Sequence, residues 1–377
     1  MPRRASGGSR GVDTKYRRSA SLVMYWDDGE LIFENYALQT RMSADPLVCS
    51  ILNYCHEFRT ARSICSHLRV NRTTSVQETL KELCANGVLD RFGDAPDPRA
   101  EAMKDWDAWN PAAGFFHFST KDTEFARDQA KAFADWTRQM GSATMPLPVK
   151  RYSRVARTQL PEVEAHGEFP DVLLERRTWR KYGPGAVSCE SLSQILKLTF
   201  GIQRWVDVPG VGRAAMKTAP SGGDLHPIEA YVVVQRVKGV KPGVYHYNAA
   251  RNELERLRER ILRRDLVRNL GGQWWFASAA FLVVMTAVSG RTRWKYKFPR
   301  AYRALLLEAG HLGQSFCLVA TWEGLAPFST IAMKDTKWED WLGIDGVKES
   351  VVYLLGAGRR PGPGEMRAAH LGMLRKR

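Results

Sequence analysis

The chain holds 377 residues, enough for two domains, and its 44% hydrophobic and 10% aromatic content builds packed cores and excludes wholesale disorder. A net charge of +16 invites a nucleic-acid reading, but ten of those sixteen charges fall in residues 1–20 and 355–377, which read as solvated ends. The longest nearly apolar run, 274–288, spans 15 residues, short of the ~18–20 that a membrane span needs, and no apolar signal segment accompanies the basic start. Neither a nucleic-acid nor a membrane partner is expected.

Residues 1–20, rich in Arg, Ser and Gly, are expected to form a mobile basic tail. Strand-like stretches at 21–26 and 31–36 flank the turn sequence Asp27, Asp28, Gly29. Helical patterns follow at about 45–56, 60–68 and 76–86. The third carries Val76, Leu80, Leu83 and Cys84 on one face, with Ser75 and Glu78 spaced as a capping box and Gly87 as the stop. With a returning strand at 88–91, the region 21–94 resembles a winged helix. Its third helix sets Lys81 against Glu78 and Glu82, too little positive charge to track phosphates, so peptide docking by strand addition is expected over DNA binding. Cys49, Cys55, Cys65, Cys84, Cys189 and Cys317 form no C-x-x-C pair and read as free, mostly buried thiols of a reducing cytoplasm. The spacing of Cys49, Cys55, His56 and Cys65 fits no usual zinc template, and no metal is expected.

Asp94, Ala95, Pro96, Asp97 and Pro98 break the chain and mark a boundary. The region 95–168 holds an aromatic cluster (Trp106, Trp109, Phe115, Phe116, His117), a helical pattern at 123–140, and Pro146, Pro148 and Pro161, which suggest an extended linker. From 169 onward helices and strands alternate. A helix ends near 171–176, Ser188 caps another over 190–200, 228–237 is β-rich, and 243–247 with 253–257 reads as a hairpin. A continuous apolar strand at 279–288 reads as buried on both faces, and a helix at 301–322 is apolar around much of its surface and therefore expected to be buried. A last strand is placed at 351–355. The expectation is an α+β domain over 169–360, followed by a second basic tail at 361–377.

Three segments carry chemistry. Arg176, Arg177, Thr178, Arg180 and Lys181 bring four cations and a hydroxyl together just after a helix, which suits a phosphate monoester because arginine offers a planar fork to its oxygens. A solvated basic face is the plainer account of the same residues. Pro220, Ser221, Gly222, Gly223, Asp224, Leu225, His226 and Pro227 stand directly before a strand, and their glycines let backbone amides approach a flat or anionic ligand. A simple turn would need no more. The third segment runs from Arg291 through Trp294, Lys295 and Tyr296 to Arg303, and on into Glu308, Ala309, Gly310, His311, Leu312, Gly313 and Gln314.

In this order, and together with Pro242, Gly243, Tyr245, His246 and Tyr247, these segments resemble the SagB-type dehydrogenases. Those are nitroreductase-fold flavoproteins that oxidise ribosomal peptides, including the azoline oxidases of microcin and cyanobactin pathways. The resemblance is strong over 169–360 and looser over 106–122 and the winged-helix-like region. It implies a nitroreductase-like FMN-binding fold and a homodimer, with flavin at the interface and the long helix near the dimer core. It implies further that Arg176, Arg177, Thr178 and Arg180 hold the phosphate and ring edge, and that Pro220, Ser221, Gly222 and Gly223 lie beside the isoalloxazine. Arg359 and Arg360 match late basic residues that close on the phosphate. The family commonly carries Ser where Thr178 stands, and Ala or Asn near Asp224. Lys295 and Tyr296 match the catalytic Lys-Tyr pair of the azoline-oxidising subgroup. Aromatising an azoline removes a proton from the α-carbon and a hydride from its neighbour, so a base is needed, and a lysine with its pKa lowered by burial and nearby arginines, or a tyrosine assisted by it, would serve. Without the resemblance, the same two residues read as a surface loop with a snorkelling lysine. His226 is expected to touch the cofactor, and His311 to be a core histidine.

The resemblance thus implies a cytoplasmic, FMN-dependent dehydrogenase that turns azoline into azole in a precursor peptide, with dioxygen reoxidising the flavin. The winged-helix-like region would hold a leader segment or a cyclodehydratase partner. The competing readings are an NAD(P)H-dependent nitro or quinone reductase, a peptide desaturase acting at a non-azoline site, and a winged-helix regulator with a degenerate flavin fold.

Overall fold

The computed structural model describes residues 14–362, apart from 71–72, 127, 141–147, 151–153, 155 and 211. The expected tail segments 1–13 and 363–377, and Pro146 of the expected linker, lie outside the described residues. Two compact units emerge: one carries the described residues up to Lys121 together with Tyr296–Tyr302, the other Asp122–Lys295 and the chain from Arg303 onward.

In the first unit, β1 (Lys15–Arg18) lies between β5 (Arg59–Thr60) and β6 (Leu89–Arg91), antiparallel to both. This corrects the expected tail, which was extended through residue 20 on its charge. Tyr16 is buried while Lys15, Arg17 and Arg18 keep their charged ends in solvent, so tertiary pairing overrides a polar local sequence. A second sheet holds β2 (Leu22–Asp27), β3 (Glu30–Asn35) and β4 (Thr40–Ser43). Asp27 pairs with Glu30, which leaves Asp28 and Gly29 as a two-residue loop, and their φ values of 47° and 80° are what a type I′ turn demands.

Helices α1 (Val48–Tyr54), α2 (Ala61–Leu68) and α3 (Thr73–Ala85) pack Ile51, Leu52, Ile64, Leu80 and Leu83 against Phe33 and Leu89. Thr60 caps α2 by accepting from the Ser63 amide at 3.1 Å. The capping box expected at Ser75 is not at a cap, because α3 already includes Thr73 and Ser75 sits inside it. Its C-terminal stop is a Schellman arrangement, with Val88 N–H donating to Leu83 O, Gly87 N–H to Cys84 O, and Gly87 at φ 69°. After α4 (Pro98–Ala102), α5 (Ala112–Ser119) buries His117 beside Trp106, Phe118 and Tyr302.

The second unit contains α6 (Gln129–Met140), α7 (Glu168–Glu175), α8 (Cys189–Phe200), a hairpin of β7 (Arg204–Val208) and β8 (Gly212–Met216), then β9 (Ile228–Val234), β10 (Gly243–Asn248) and β11 (Glu253–Glu259). It continues through α9 (Arg263–Arg268), β12 (Phe281–Val288), α10 (Ser289–Lys295), α11 (Tyr302–Trp322), β13 (Leu325–Thr330), α12 (Asp335–Leu342) and β14 (Glu349–Arg359). Six of the strands form one antiparallel sheet in the order β11-β10-β9-β12-β14-β13. Antiparallel pairing with helices on its faces is an α+β arrangement.

The apolar run in β12 follows from burial on both sides. Leu282 and Val284 enter a core with Leu266, Trp338 and Trp341, while the Phe281 ring meets Phe316 of α11 edge-on at 6.2 Å. Burying each such side chain contributes roughly 1.5–3 kcal/mol. Gly313 lets α11 approach β14, since a Cβ there would lie 2.7 Å from Tyr353 Cε1. Ser188 caps α8 as expected, its Oγ accepting from the Ser191 amide at 3.0 Å.

Four expectations need correction, the first being His311, which is exposed on α11 and not a core histidine. Helix α11 is not buried all round: Leu306, Leu307 and Trp322 are exposed, Leu307 at 64%. The last strand is longer than 351–355 and carries Arg359 at its end. The patterns also omitted β7–β8, β13 and α12. No helix among the described residues is long and apolar enough to cross a membrane.

Candidate functional site

Helix α7 ends at Glu175, and residues 176–185 then run alongside the ends of β13 and β14: Trp179 N–H donates to Pro327 O at 3.0 Å and Gly183 N–H to Arg359 O at 2.9 Å. Arg177 folds back on its own backbone, its Nη1 donating to Leu174 O at 2.7 Å and Arg176 O at 2.8 Å. Arg360 braces the same end, donating to Leu325 O at 3.2 Å and Thr321 O at 3.1 Å, with its guanidinium 5.8 Å from the Trp179 ring. The forks of Arg176, Arg180 and Arg359 make no hydrogen bond among the described residues, and Thr178 is exposed beside them. A cavity of about 240 Å³ opens here, lined by Ser188, Ser191, Glu323, Arg359 and Arg360. Arg359, with its fork uncommitted and lining this cavity, is suited to a phosphate-bearing group.

The glycine loop sits elsewhere. Gly222 rests on the first turns of α11, where a Cβ would meet Ala304 Cβ at 3.3 Å. One turn on, Glu308 Oε2 accepts from Ser221 Oγ at 2.5 Å. The loop is twisted tightly, with Gly223, Asp224 and His226 at φ 73°, 56° and 42°. Glycine takes such values at little cost and other residues at more, and His226 holds its own through two anchors. His226 N–H donates to Ser221 Oγ at 3.0 Å, and His226 O accepts from Arg291 Nη1 at 2.8 Å. His226 is buried, with Nε2 lacking any partner among the described residues. A flat ligand with polar edges would suit this orphaned nitrogen and the close backbone approach that the glycines permit.

Arg291 belongs to a charged chain that the sequence reading did not assemble. It pairs with Glu229, whose other oxygen lies 3.1 Å from His246 Nε2, and His246 Nδ1 lies 2.8 Å from Glu255. The hydrogen bond to Glu229 raises His246 to about 9, with burial opposing and Glu255 assisting. Burial pushes the Glu229 carboxyl up, but His246 and Arg291 outweigh it and hold it below its ordinary range. Lys217, just before the loop, is lowered by burial, as is His226, while burial raises Glu308. The spacing of Arg291 and Lys295, one turn apart on α10, and the pairing of His246 with Glu255 across the expected hairpin were the available signals. Glu308 was in view only as part of a motif.

The expected site residues therefore fall into groups. Arg176, Arg177, Thr178, Arg180, Arg359 and Arg360 gather near Thr321 of α11, and Pro220, Ser221, Gly222, Gly223 and His226 gather near Glu308. Thirteen residues of helix separate those two anchors, about 20 Å at 1.5 Å per residue, so one chain does not bring the groups together. Lys295 ends α10 and is exposed rather than buried as expected. Tyr296 lies in the other unit, its carbonyl accepting from Trp109 Nε1–H at 3.0 Å and its ring 5.9 Å from Phe298. A separate cavity of about 370 Å³ between α8 and the β10–β11 hairpin is lined by Leu192, Tyr245 and Tyr247, and by none of the expected site residues.

Residues 173–359 match the model of the nitroreductase family. A protein of Methanocaldococcus jannaschii carrying the nitroreductase name is 32% identical over 202 residues, covering 54% of this chain and 96% of the relative. The trifolitoxin-processing protein of Rhizobium leguminosarum bv. trifolii is 27% identical over 182 residues, covering 45% of this chain and 46% of its own length, so this chain spans about half of it. A trifolitoxin operon protein of the same organism is 24% identical over 310 residues, 79% of this chain and 85% of the relative.

Proposed function

We propose, from the premise that this chain belongs to the nitroreductase family, that it is an FMN-dependent oxidoreductase acting on a ribosomally made precursor peptide, oxidising an azoline ring to thiazole or oxazole. The observation that carries the reading is that its relatives within the family include proteins named for trifolitoxin processing and the trifolitoxin operon. The uncommitted guanidinium forks and the strained glycine loop are the features of the chain that agree with it.

Bound FMN would supply the hydride acceptor, regenerated by dioxygen; the protein binds, orients and handles the proton. Arg176, Arg180 and Arg359 are the phosphate ligands, with Thr178 as a neutral donor. Arg177 and Arg360 hold the backbone that presents them. Pro220, Ser221, Gly222, Gly223 and His226 form the wall beside the ring. Because the two groups stand at opposite ends of α11, the complete site belongs to a homodimer in which a second copy contributes the loop. The exposed Leu306, Leu307 and Trp322 are the matching surface. Lys295 Nζ, with Tyr296 Oη, takes the proton from the substrate α-carbon. The first unit, read as winged-helix-like, docks the leader segment or a cyclodehydratase in the cytoplasm.

One observation favours a second reading: the 32% identical relative bears the nitroreductase name, which suits NAD(P)H-driven reduction of nitro or quinone compounds. The purified chain loaded with FMN under anaerobic conditions separates the two. The expected result is a flavin absorption band that survives NADPH and bleaches on adding an azoline peptide. Rapid bleaching by NADPH, with the peptide inert, would sink the peptide reading.

A further inference from the structure

A buried carboxylate ties the glycine loop to α11, and its proton changes what the loop can offer a ligand. Ser221 Oγ donates to Glu308 Oε2 at 2.5 Å and accepts from His226 N–H at 3.0 Å. A hydroxyl has one proton and two lone pairs. While Glu308 is ionised, that proton is committed to the carboxylate, and Ser221 can meet a ligand only with its remaining lone pair. Once Glu308 is protonated, its own O–H can donate to Ser221, which frees the serine proton to point outward. The same pair of side chains, without moving, presents an acceptor in one state and a donor in the other.

The surroundings keep both states within reach. Glu308 is 3% exposed, and that burial raises its carboxyl. Opposing it are Ser221 in the loop, Lys217 from the segment before the loop, His311 from its own helix and Arg291 from α10. His226 Nδ1 lies 3.9 Å from Glu308 Oε1, and its own charging is disfavoured by burial and by Lys217. The Gly222–Ala304 contact and the Arg291 bond to His226 O hold the loop in place whichever way the proton sits. Protonation would therefore change the polarity of the hydrogen bond more than the position of the loop.

We propose that Ser221 and Glu308 form a proton switch coupled to the redox state of the cofactor, with Glu308 neutral beside the oxidised ring and ionised beside the reduced one. This rests on the reading that the loop lines a flavin. An oxidised isoalloxazine edge presents acceptors at N5 and O4 and favours the donor form of Ser221. Two-electron reduction places an N–H at N5 and favours the acceptor form, so Glu308 releases one proton as the ring takes up its electrons and proton. Glu308 is thus a positioning residue, acting through Ser221.

The test is a spectroelectrochemical titration of the FMN-loaded full chain from pH 5 to 9, comparing wild type with Glu308→Gln and Ser221→Ala. Over the range where Glu308 changes state, the wild type should take up one proton fewer per two electrons than either variant. Its reduction equilibrium then changes tenfold less per pH unit, a slope shallower by about 30 mV. A charge on Glu308 that merely biased the ring through space would survive in Ser221→Ala, so a wild-type slope in that variant overturns the switch. Parallel slopes in all three proteins overturn it too. Failure of the wild type to retain FMN would instead refute the flavin reading on which it rests.

Discussion

His246 offers the sharpest electrostatic test of the charged chain behind the glycine loop. The ring is clamped between Glu229 and Glu255, and those contacts raise it from 6.5 to about 9, the Glu229 hydrogen bond first among them. A histidine whose folded-state pKa is raised stabilises the fold fully below the unfolded value, progressively less above it, and not at all beyond the folded value. The contribution is therefore whole below about pH 6.5 and gone above about pH 9. The shift sets a ceiling on the order of 3 kcal/mol. Glu255 is 47% exposed against 25% for the His246 side chain, and solvent screening of that half of the clamp brings the expected figure to about 1–2 kcal/mol. Urea denaturation of wild type and His246→Gln at intervals from pH 6 to 9.5 reads this directly. The variant should be less stable at pH 6 by that amount, and the two curves should converge as the pH passes 9. A deficit that stays constant across the range would show that the ring matters through packing, and the electrostatic account would fail.

The anchors predict a division among the arginines. Arg180→Gln and Arg359→Gln should each weaken FMN binding about tenfold, the order expected for losing one charge-assisted hydrogen bond, whereas Arg177→Gln should stay within about twofold because its fork is spent on Leu174 and Arg176 carbonyls; flavin fluorescence titration distinguishes them, and equal losses would contradict the assignment. In the sheet, a Cβ at Gly356 would lie 2.7 Å from Phe328 Cζ and 2.9 Å from Leu282 Cδ2, so Gly356→Ala should cost about 1–3 kcal/mol through overpacking, seen as a lowered thermal midpoint. In the first unit, the buried Asn35 side chain donates to Ser19 Oγ and Gly87 O and accepts from the Ala37 and Leu38 amides. Asn35→Ala should cost on the order of 2–3 kcal/mol and speed hydrogen exchange at those two amides, and unchanged exchange would refute the role given to it.

Elements whose cause is local were legible in the sequence. The Asp28-Gly29 turn needs only two residues that accept positive φ, and the Ser188 cap only a hydroxyl three positions before the amide it serves. Strand β12 announced itself because burial on both faces leaves Thr286 as the one polar residue in an otherwise apolar run. What escaped depends on partners far along the chain. Strand β1 reads as a basic tail until β5 and β6, more than forty residues later, claim its backbone groups. Strand β13 is short, carries Pro327 and follows Gly324, so local propensity argues against it, yet β14 pairs with it from Leu325 to Thr330.

The candidate site divides in the same way. Motifs singled out the arginine and glycine segments, since a phosphate site or a close backbone approach would each leave a compositional mark. They could not say that the two marks lie at opposite ends of one helix, because α11 contributes Glu308 to one and the Thr321 carbonyl to the other, and nothing in its apolar pattern distinguishes those positions. Glu308 in particular looks like a polar interruption of a helix stripe until Ser221, 87 residues away, supplies its hydrogen bond. The residues that tune the loop are therefore the least visible in sequence, while those that would touch a ligand are the most visible. That is the pattern expected when binding chemistry is set by residue type and its control by non-local geometry.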